Sequence, residues 1–218
     1  MTDKKVEEFL SEAIIAYRKL PKDISVGVSI EGISGRRVLP LDADQCDVEL
    51  VQKLCAAAAN LIGQSKEIPI KTGRVNELGN NIEEPLLDAC RDIGLNATWP
   101  KRADGSGGRS GYPDIAIDID GERPAYLEAK VIAEGTEASS FRSFYLSPSD
   151  NPKVCVDARH LLLAFTHERR ENSAEGLEQY ALTSFKLVDL YKVKGKIKFE
   201  YQSNNKEMYL KGAVIATG

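Results

Sequence analysis

The sequence predicts an α/β fold in which a central mixed β-sheet is flanked by helices, and three observations lead there. Apolar residues recur every three or four positions near the N-terminus and again over residues 74–95, as one face of a helix requires. Between residues 114 and 132 apolar and polar positions alternate, the pattern of half-buried strands. Residues 159–167, RHLLLAFTH, hold a continuous apolar run of strand length, suited to the middle of a sheet covered on both faces. Helical and strand patterns within one chain of 218 residues predict a single domain.

The first helix is expected within the opening twenty residues, where Val6, Phe9, Leu10, Ala13, Ile14 and Tyr17 share a face and Pro21 ends the pattern. Residues 24–41, ISVGVSIEGISGRRVLPL, alternate briefly and read as one or two short strands with glycine turns. A second helix is expected over residues 42–64, opened by aspartates suited to N-capping. Leu78, Ile82, Leu86, Ala89 or Cys90, and Ile93 form the stripe of a third, with a bend or a helix start expected near Pro85. A loop rich in glycine and cationic residues, PKRADGSGGRSGYPD, leads into a hairpin turning around Gly121. After a polar stretch comes the apolar strand of residues 159–167; residues 174–193 then mix helix and strand signals. The tail reads as a hairpin over residues 185–218 turning at the SNN of residues 203–205.

Composition excludes more than it assigns. The longest apolar runs are far too short to span a bilayer, and the charged N-terminus has no secretory pattern, so a cytoplasmic protein with no membrane partner is expected. The four cysteines (Cys46, Cys55, Cys90 and Cys155) are far apart with no CxxC pair, which fits reduced, mostly buried thiols. A net charge of −4 neither suggests nor excludes a nucleic-acid partner, because a basic cleft can coexist with an acidic exterior.

The chemistry concentrates in GYPDIAIDIDGERPAYLEAKV, residues 111–131. Side chains alternate faces along a strand, so Glu128 and Lys130 share one face, while Leu127, Ala129 and Val131 share the other and can pack against a helix. If residues 114–119 pair with this strand, Asp114 approaches Glu128. Two carboxylates meeting there repel unless something neutralises them, and a hard divalent cation such as Mg²⁺ does so with one or two protein carboxylates. A lysine two residues away is placed to hold or activate an attacking water, or to stabilise charge developing on phosphorus. Together these parts suit metal-assisted hydrolysis of a phosphodiester.

At Pro113–Asp114 and Glu128–Ala129–Lys130 the sequence resembles the PD-(D/E)xK nuclease superfamily of restriction endonucleases and repair nucleases. The dipeptide Pro-Asp occurs once, with thirteen residues between Asp114 and Glu128. A third element of the resemblance is a helix before the hairpin carrying a glutamate in a G-x-x-x-E arrangement, here Gly79 to Glu83, with Glu84 as the alternative. The likeness covers residues 74–166 and implies a restriction-endonuclease-like core. Residues 1–70 would then form an N-terminal extension and residues 185–218 a C-terminal hairpin of one nuclease domain. It further implies that Asp114 and Glu128 bind Mg²⁺, that Lys130 acts on the attacking water and that Glu83 supports the metal or its water.

The same resemblance implies a type II restriction endonuclease that cuts double-stranded DNA at a specific palindromic site as a homodimer. The alternatives are a structure-specific repair or junction nuclease and a non-catalytic DNA-binding protein on a decayed nuclease fold. Segments beside the catalytic hairpin are the expected readers of DNA. They comprise Ser139, Ser140, Arg142, Ser143 and Tyr145, then His167, Arg169 and Arg170, with Lys101, Arg102 and Arg109 as a phosphate clamp. Lys192, Lys194, Lys196 and Lys198 fall on alternate positions of an expected strand, more often a protected sheet edge than a backbone track. His160, beside the apolar run, is expected to be structural.

Overall fold

A computed structural model of the chain describes residues 2–118, 120–136, 144–173 and 176–216. In chain order the elements are α1 (Asp3–Arg18), β1 (Ile24–Ser25), α2 (Val26–Ser34), β2 (Val38–Leu39), α3 (Gln45–Glu67), β3 (Ile70–Thr72) and α4 (Leu78–Asp92). They continue with β4 (Ala97–Thr98), β5 (Ile115–Ile117), β6 (Ala125–Ala133), β7 (Ala158–Arg169), β8 (Glu178–Asp189), β9 (Lys194–Gly195) and α5 (Asn205–Met208). The chain divides into two units, residues 25–193 and the segments up to Ile24 and from Lys194.

The larger unit is built on a mixed sheet of order β3-β8-β7-β6-β5-β4, with β2 added in parallel to the start of β7. The long strand β6 runs parallel to β7 on one side and antiparallel to the short β5 on the other. Alternation along β6 decides what each face meets. Ala125, Leu127 and Ala129 join a core cluster with Leu54, Ala58 and Leu61 of α3 and Ile82, Leu86 and Cys90 of α4, and Val131 packs against it. Tyr126 belongs to a second cluster on the opposite face, with Val26 and Ile30 of α2, Val38, Val154 and Leu190. Leu161, Leu163 and Phe165 of β7 extend the first cluster and Leu162 packs against the second, so the continuous apolar run covers both faces.

Helices α3 and α4 lie where the periodicity places them. Asp44 caps α3 by accepting from the Asp47 amide, as expected of an aspartate-rich start. Leu50, Leu54 and Leu61 carry α3 into the core, although the sequence places this segment in an N-terminal extension. α4 continues through Pro85.

Two local readings are corrected. Residues 26–34 form α2 and not a strand. The apparent alternation of Val26, Val28 and Ile30 hides helical spacing: Val26 and Ile30, four apart, are buried, while Val28 is 62% exposed. Ser25 accepts from the Val28 amide at 3.0 Å to start this helix, and Gly35 ends it. Among the described residues the C-terminal hairpin does not form. Residues 178–189 are β8, an inner strand of the main sheet, and residues 196–204 carry no strand. The SNN signal is a helix start, because Asn204 and Glu207 form a capping box for α5. Lys192, Lys194, Lys196 and Lys198 therefore do not share one strand face. Of the cysteines only Cys90 is buried; Cys46 is exposed and the other two lie between.

Within the smaller unit, Tyr17 and Phe199 bring their rings to 6.0 Å. None of its described residues is buried. No helix among the described residues is long and apolar enough to cross a membrane.

Candidate active site

The β5–β6 hairpin is closed by a tight turn at Gly121, where an added Cβ would displace the Asp118 side chain. The Gly121 amide bonds the Asp118 carbonyl at 2.9 Å, and a Cβ at Gly121 would lie 2.1 Å from Asp118 Oδ2. Pairing Ile115 with Leu127 and Ile117 with Ala125 fixes the register. Continued by one residue, that register sets Asp114 opposite Glu128. Asp114 Oδ2 accepts from the Ala129 amide at 2.9 Å, which ties the carboxylate to the neighbouring strand.

Both acidic groups are buried, with Asp114 9% and Glu128 4% exposed. Lys130 Nζ pairs with Glu128 Oε1 on the same face of β6. The other oxygen, Glu128 Oε2, is buried without a hydrogen-bond partner. A buried, unsatisfied carboxylate oxygen is costly unless another group occupies it. Two closely placed carboxylates with an orphaned oxygen are a hard donor set, the kind that Mg²⁺ accepts.

Glu83 is the helical glutamate that faces this site. Its side chain is 12% exposed against 69% for Glu84. Burial and the Asp114 charge raise its carboxyl above the usual range, opposed by Arg109. Arg109 Nη2 lies 3.4 Å from Glu83 Oε2, and its guanidinium sits 4.6 Å above the centre of the Trp99 ring. The expected phosphate clamp is thus only partly assembled: Arg109 adjoins the carboxylates and Lys101 is exposed. Arg102 is spent on loop carbonyls, donating to Asn151 and Ser110.

The other expected DNA contacts divide. Ser139, Ser140, Arg142 and Ser143 lie outside the described residues, and Tyr145 is 57% exposed. His167, Arg169 and Arg170 stand on and just beyond β7. Glu128 pairs with Leu162 of that strand, which puts His167 and Arg169 five and seven residues further along, roughly 17 and 23 Å. His167 lies edge-on to Tyr180, and the two arginines pair with Glu178 and Glu168. They are not part of the carboxylate cluster.

Three groups escaped the sequence reading. Lys153 is buried behind Asp114 and donates to three loop carbonyls; nothing in its polar surroundings in the sequence marks it. Tyr112 hydrogen-bonds His160 Nδ1 at 2.6 Å, with the two rings stacked 5.8 Å apart. His160 is indeed a core residue, kept neutral by burial. Asp42, Asp44 and Asp47 form an acidic cluster with ligand atoms within 4.8 Å of one another. Arg123 pairs with Asp44 and Arg159 with Asp47, which offsets two of the three charges in that cluster.

Burial and the Asp114 charge push the Glu128 carboxyl up to about 7, with Lys130 acting against them. Between about pH 4.5 and about pH 7 the folded metal-free chain therefore holds a proton that the unfolded chain has lost. This contribution favours folding at low pH and disappears as pH rises through about 7. His160 has the opposite sign: burial pushes it down to about 3 from 6.5, so its contribution is lost as pH falls through that window. Comparison with Glu128→Gln isolates the first effect. Metal-free Glu128→Gln is expected to melt above the unsubstituted protein at about pH 8, with the gap shrinking towards about pH 5. A gap that is constant or grows on acidification would reject this assignment of the burial cost.

A mixed, curled sheet between helices, with its acidic pair at one hairpin, defines an α/β protein consistent with a restriction-endonuclease-like core. The chain belongs to the type II restriction enzyme MjaV family, whose family model matches residues 20–212. The type II restriction enzyme MjaV of Methanocaldococcus jannaschii is 35% identical over a 231-residue alignment covering 99% of this chain and 97% of its own. No solved structure matches the chain.

Proposed function

We propose that this chain is a Mg²⁺-dependent type II restriction endonuclease that hydrolyses double-stranded DNA at a specific palindromic site, acting as a homodimer in the cytoplasm. Family membership supports the restriction activity, and the observation that carries the chemistry is the opposition of Asp114 and Glu128 beside Lys130, with Glu128 Oε2 unsatisfied. Asp114 and Glu128 would hold the metal, with Glu83 supporting it. When bound, Mg²⁺ would screen the phosphate charge and favour ionisation of water. The chain's own contribution is positional. Asp114 is aimed by the Ala129 amide, Glu128 is kept dry by the sheet, and Lys130 presents an ammonium where the attacking water and the developing charge would lie. The PD-(D/E)xK pattern is thus the reading of this hairpin that the geometry favours. A dimer fits a palindrome because a two-fold protein matches a two-fold site.

The test is incubation of the purified protein with unmethylated phage DNA in Mg²⁺ and in EDTA. A discrete fragment pattern that depends on Mg²⁺ is expected, and the mapped ends give the site. Cleavage of branched DNA with duplex left intact would instead support the structure-specific nuclease. Binding without cleavage of either substrate would support the non-catalytic alternative.

Asp114→Asn tests the metal assignment separately. The amide oxygen can still accept from Ala129, so the fold is retained while one ligand charge is lost. Mn²⁺ affinity measured calorimetrically is expected to fall at least about tenfold, since ligand charge sets affinity at such sites. Equal affinity would place the metal elsewhere.

A further inference from the structure

The segment that delivers Asp114 is gathered onto one buried cation. Lys153 is 3% exposed, and its Nζ donates to the carbonyls of Arg109 at 3.2 Å, Gly111 at 2.7 Å and Pro113 at 3.0 Å. These are alternate residues of the loop entering β5, and the last immediately precedes Asp114. Gly111 takes φ of 84°, a left-handed conformation that glycine adopts without penalty. An ammonium has three donors, and all three are used on carbonyls, which leaves none for a phosphate. Burial lowers the Lys153 pKa, with the Arg102 charge adding to it and Asp114, Glu128 and Glu83 acting against it. The same three carboxylates that surround the proposed metal thus act on this cation.

We propose that Lys153 is a positioning residue for the metal site: it draws the carbonyls of residues 109, 111 and 113 together and so sets the position of Asp114 against Glu128. The inference rests on the metal reading given above. Lys153 touches neither substrate nor metal and acts through the loop backbone. Outer partners that orient ligands are typically worth about 10–100-fold in metal affinity.

Two variants test it, Lys153→Met, which removes charge and donors, and Lys153→Gln, which keeps an amide able to donate twice. Mn²⁺ binding to the DNA-free protein, the Mg²⁺ midpoint of cleavage and amide exchange of a peptide spanning residues 109–115 are measured well below each melting temperature. Lys153→Met is expected to weaken Mn²⁺ binding about 10–100-fold, raise the Mg²⁺ midpoint by a similar factor and speed exchange in that peptide, with β7 unchanged. Lys153→Gln is expected to fall between it and the unsubstituted protein. Native metal affinity and midpoint in both variants, with only a lower melting temperature, would reduce Lys153 to a fold support and overturn the proposal. So would failure of both variants to melt cooperatively. If the unsubstituted protein binds Mn²⁺ no better than Asp114→Asn, the metal reading fails first.

Discussion

Lys130→Met is expected to keep DNA binding and the fold while cleavage falls by about 10²–10⁴-fold, the usual contribution of a positioned acid–base group. The substitution has two separable consequences. It removes the ammonium proposed to act on the attacking water, and it removes the charge that holds the Glu128 carboxyl down. Without Lys130, burial and Asp114 act on Glu128 unopposed, so its carboxyl takes up a proton more readily and its oxygens become poorer metal ligands. Single-turnover rates from about pH 6 to about pH 9 distinguish the two. The part due to Glu128 protonation recovers as pH rises, whereas the part due to the lost ammonium persists. Cleavage by Lys130→Met at the unsubstituted rate would remove the mechanism.

Asp47→Ala is expected to give the largest loss of stability, about 3–5 kcal/mol, because it strands a buried cation. Asp47 is 1% exposed. Its Oδ1 lies 2.8 Å from Arg159 Nε, an ion-pair contact outside hydrogen-bond geometry, and its Oδ2 accepts from Arg159 Nη2 at 3.2 Å and from the Asp42 amide at 2.7 Å. Arg159 reaches this point from β7, where its backbone pairs with Ala125 of β6, so the contact fastens the start of α3 to the sheet. The loss corresponds to a fall of about 6–20 °C in melting temperature for a domain of this size. Breaking one side of a buried pair costs more than replacing both sides by apolar groups. The double variant Asp47→Leu, Arg159→Met is therefore expected to melt above Asp47→Ala. A drop of only a degree or two in Asp47→Ala would mean that Arg159 finds another partner.

Much of the carboxylate cluster was legible because strand geometry is local. A period of two places Glu128 and Lys130 on one face whatever surrounds them, and the turn at Gly121 brings the Asp114 strand alongside. Helical glutamates were harder to separate. Glu83 and Glu84 are neighbours with equal claims in sequence, and only the packing of α4 buries one and exposes the other. The misreading of α2 has a similar origin: three β-branched residues at alternate positions look like a strand until it is known which of them is covered.

The tail and the buried cations show where local pattern ends. An SNN triplet serves a hairpin turn or a helix cap equally well, and the choice depends on what the flanking segments pair with. Asp47 reads as a helix-start aspartate because nothing nearby announces Arg159, 112 residues away. Lys153 likewise sits in a polar stretch, and its three partners belong to a loop some 40 residues earlier.

By itself the sequence determined the α/β class, the helices around Leu54 and Leu86, the β5–β6 hairpin and the trio Asp114, Glu128 and Lys130, because each depends on spacing within a short stretch. Only the tertiary structure decided that Glu83 and not Glu84 faces the carboxylates, that residues 26–34 are helical, and that Lys153 and the Asp47–Arg159 pair stand buried in the fold. Those outcomes depend on which side chains lose water and which distant charges then meet, and burial is a property of the assembled chain.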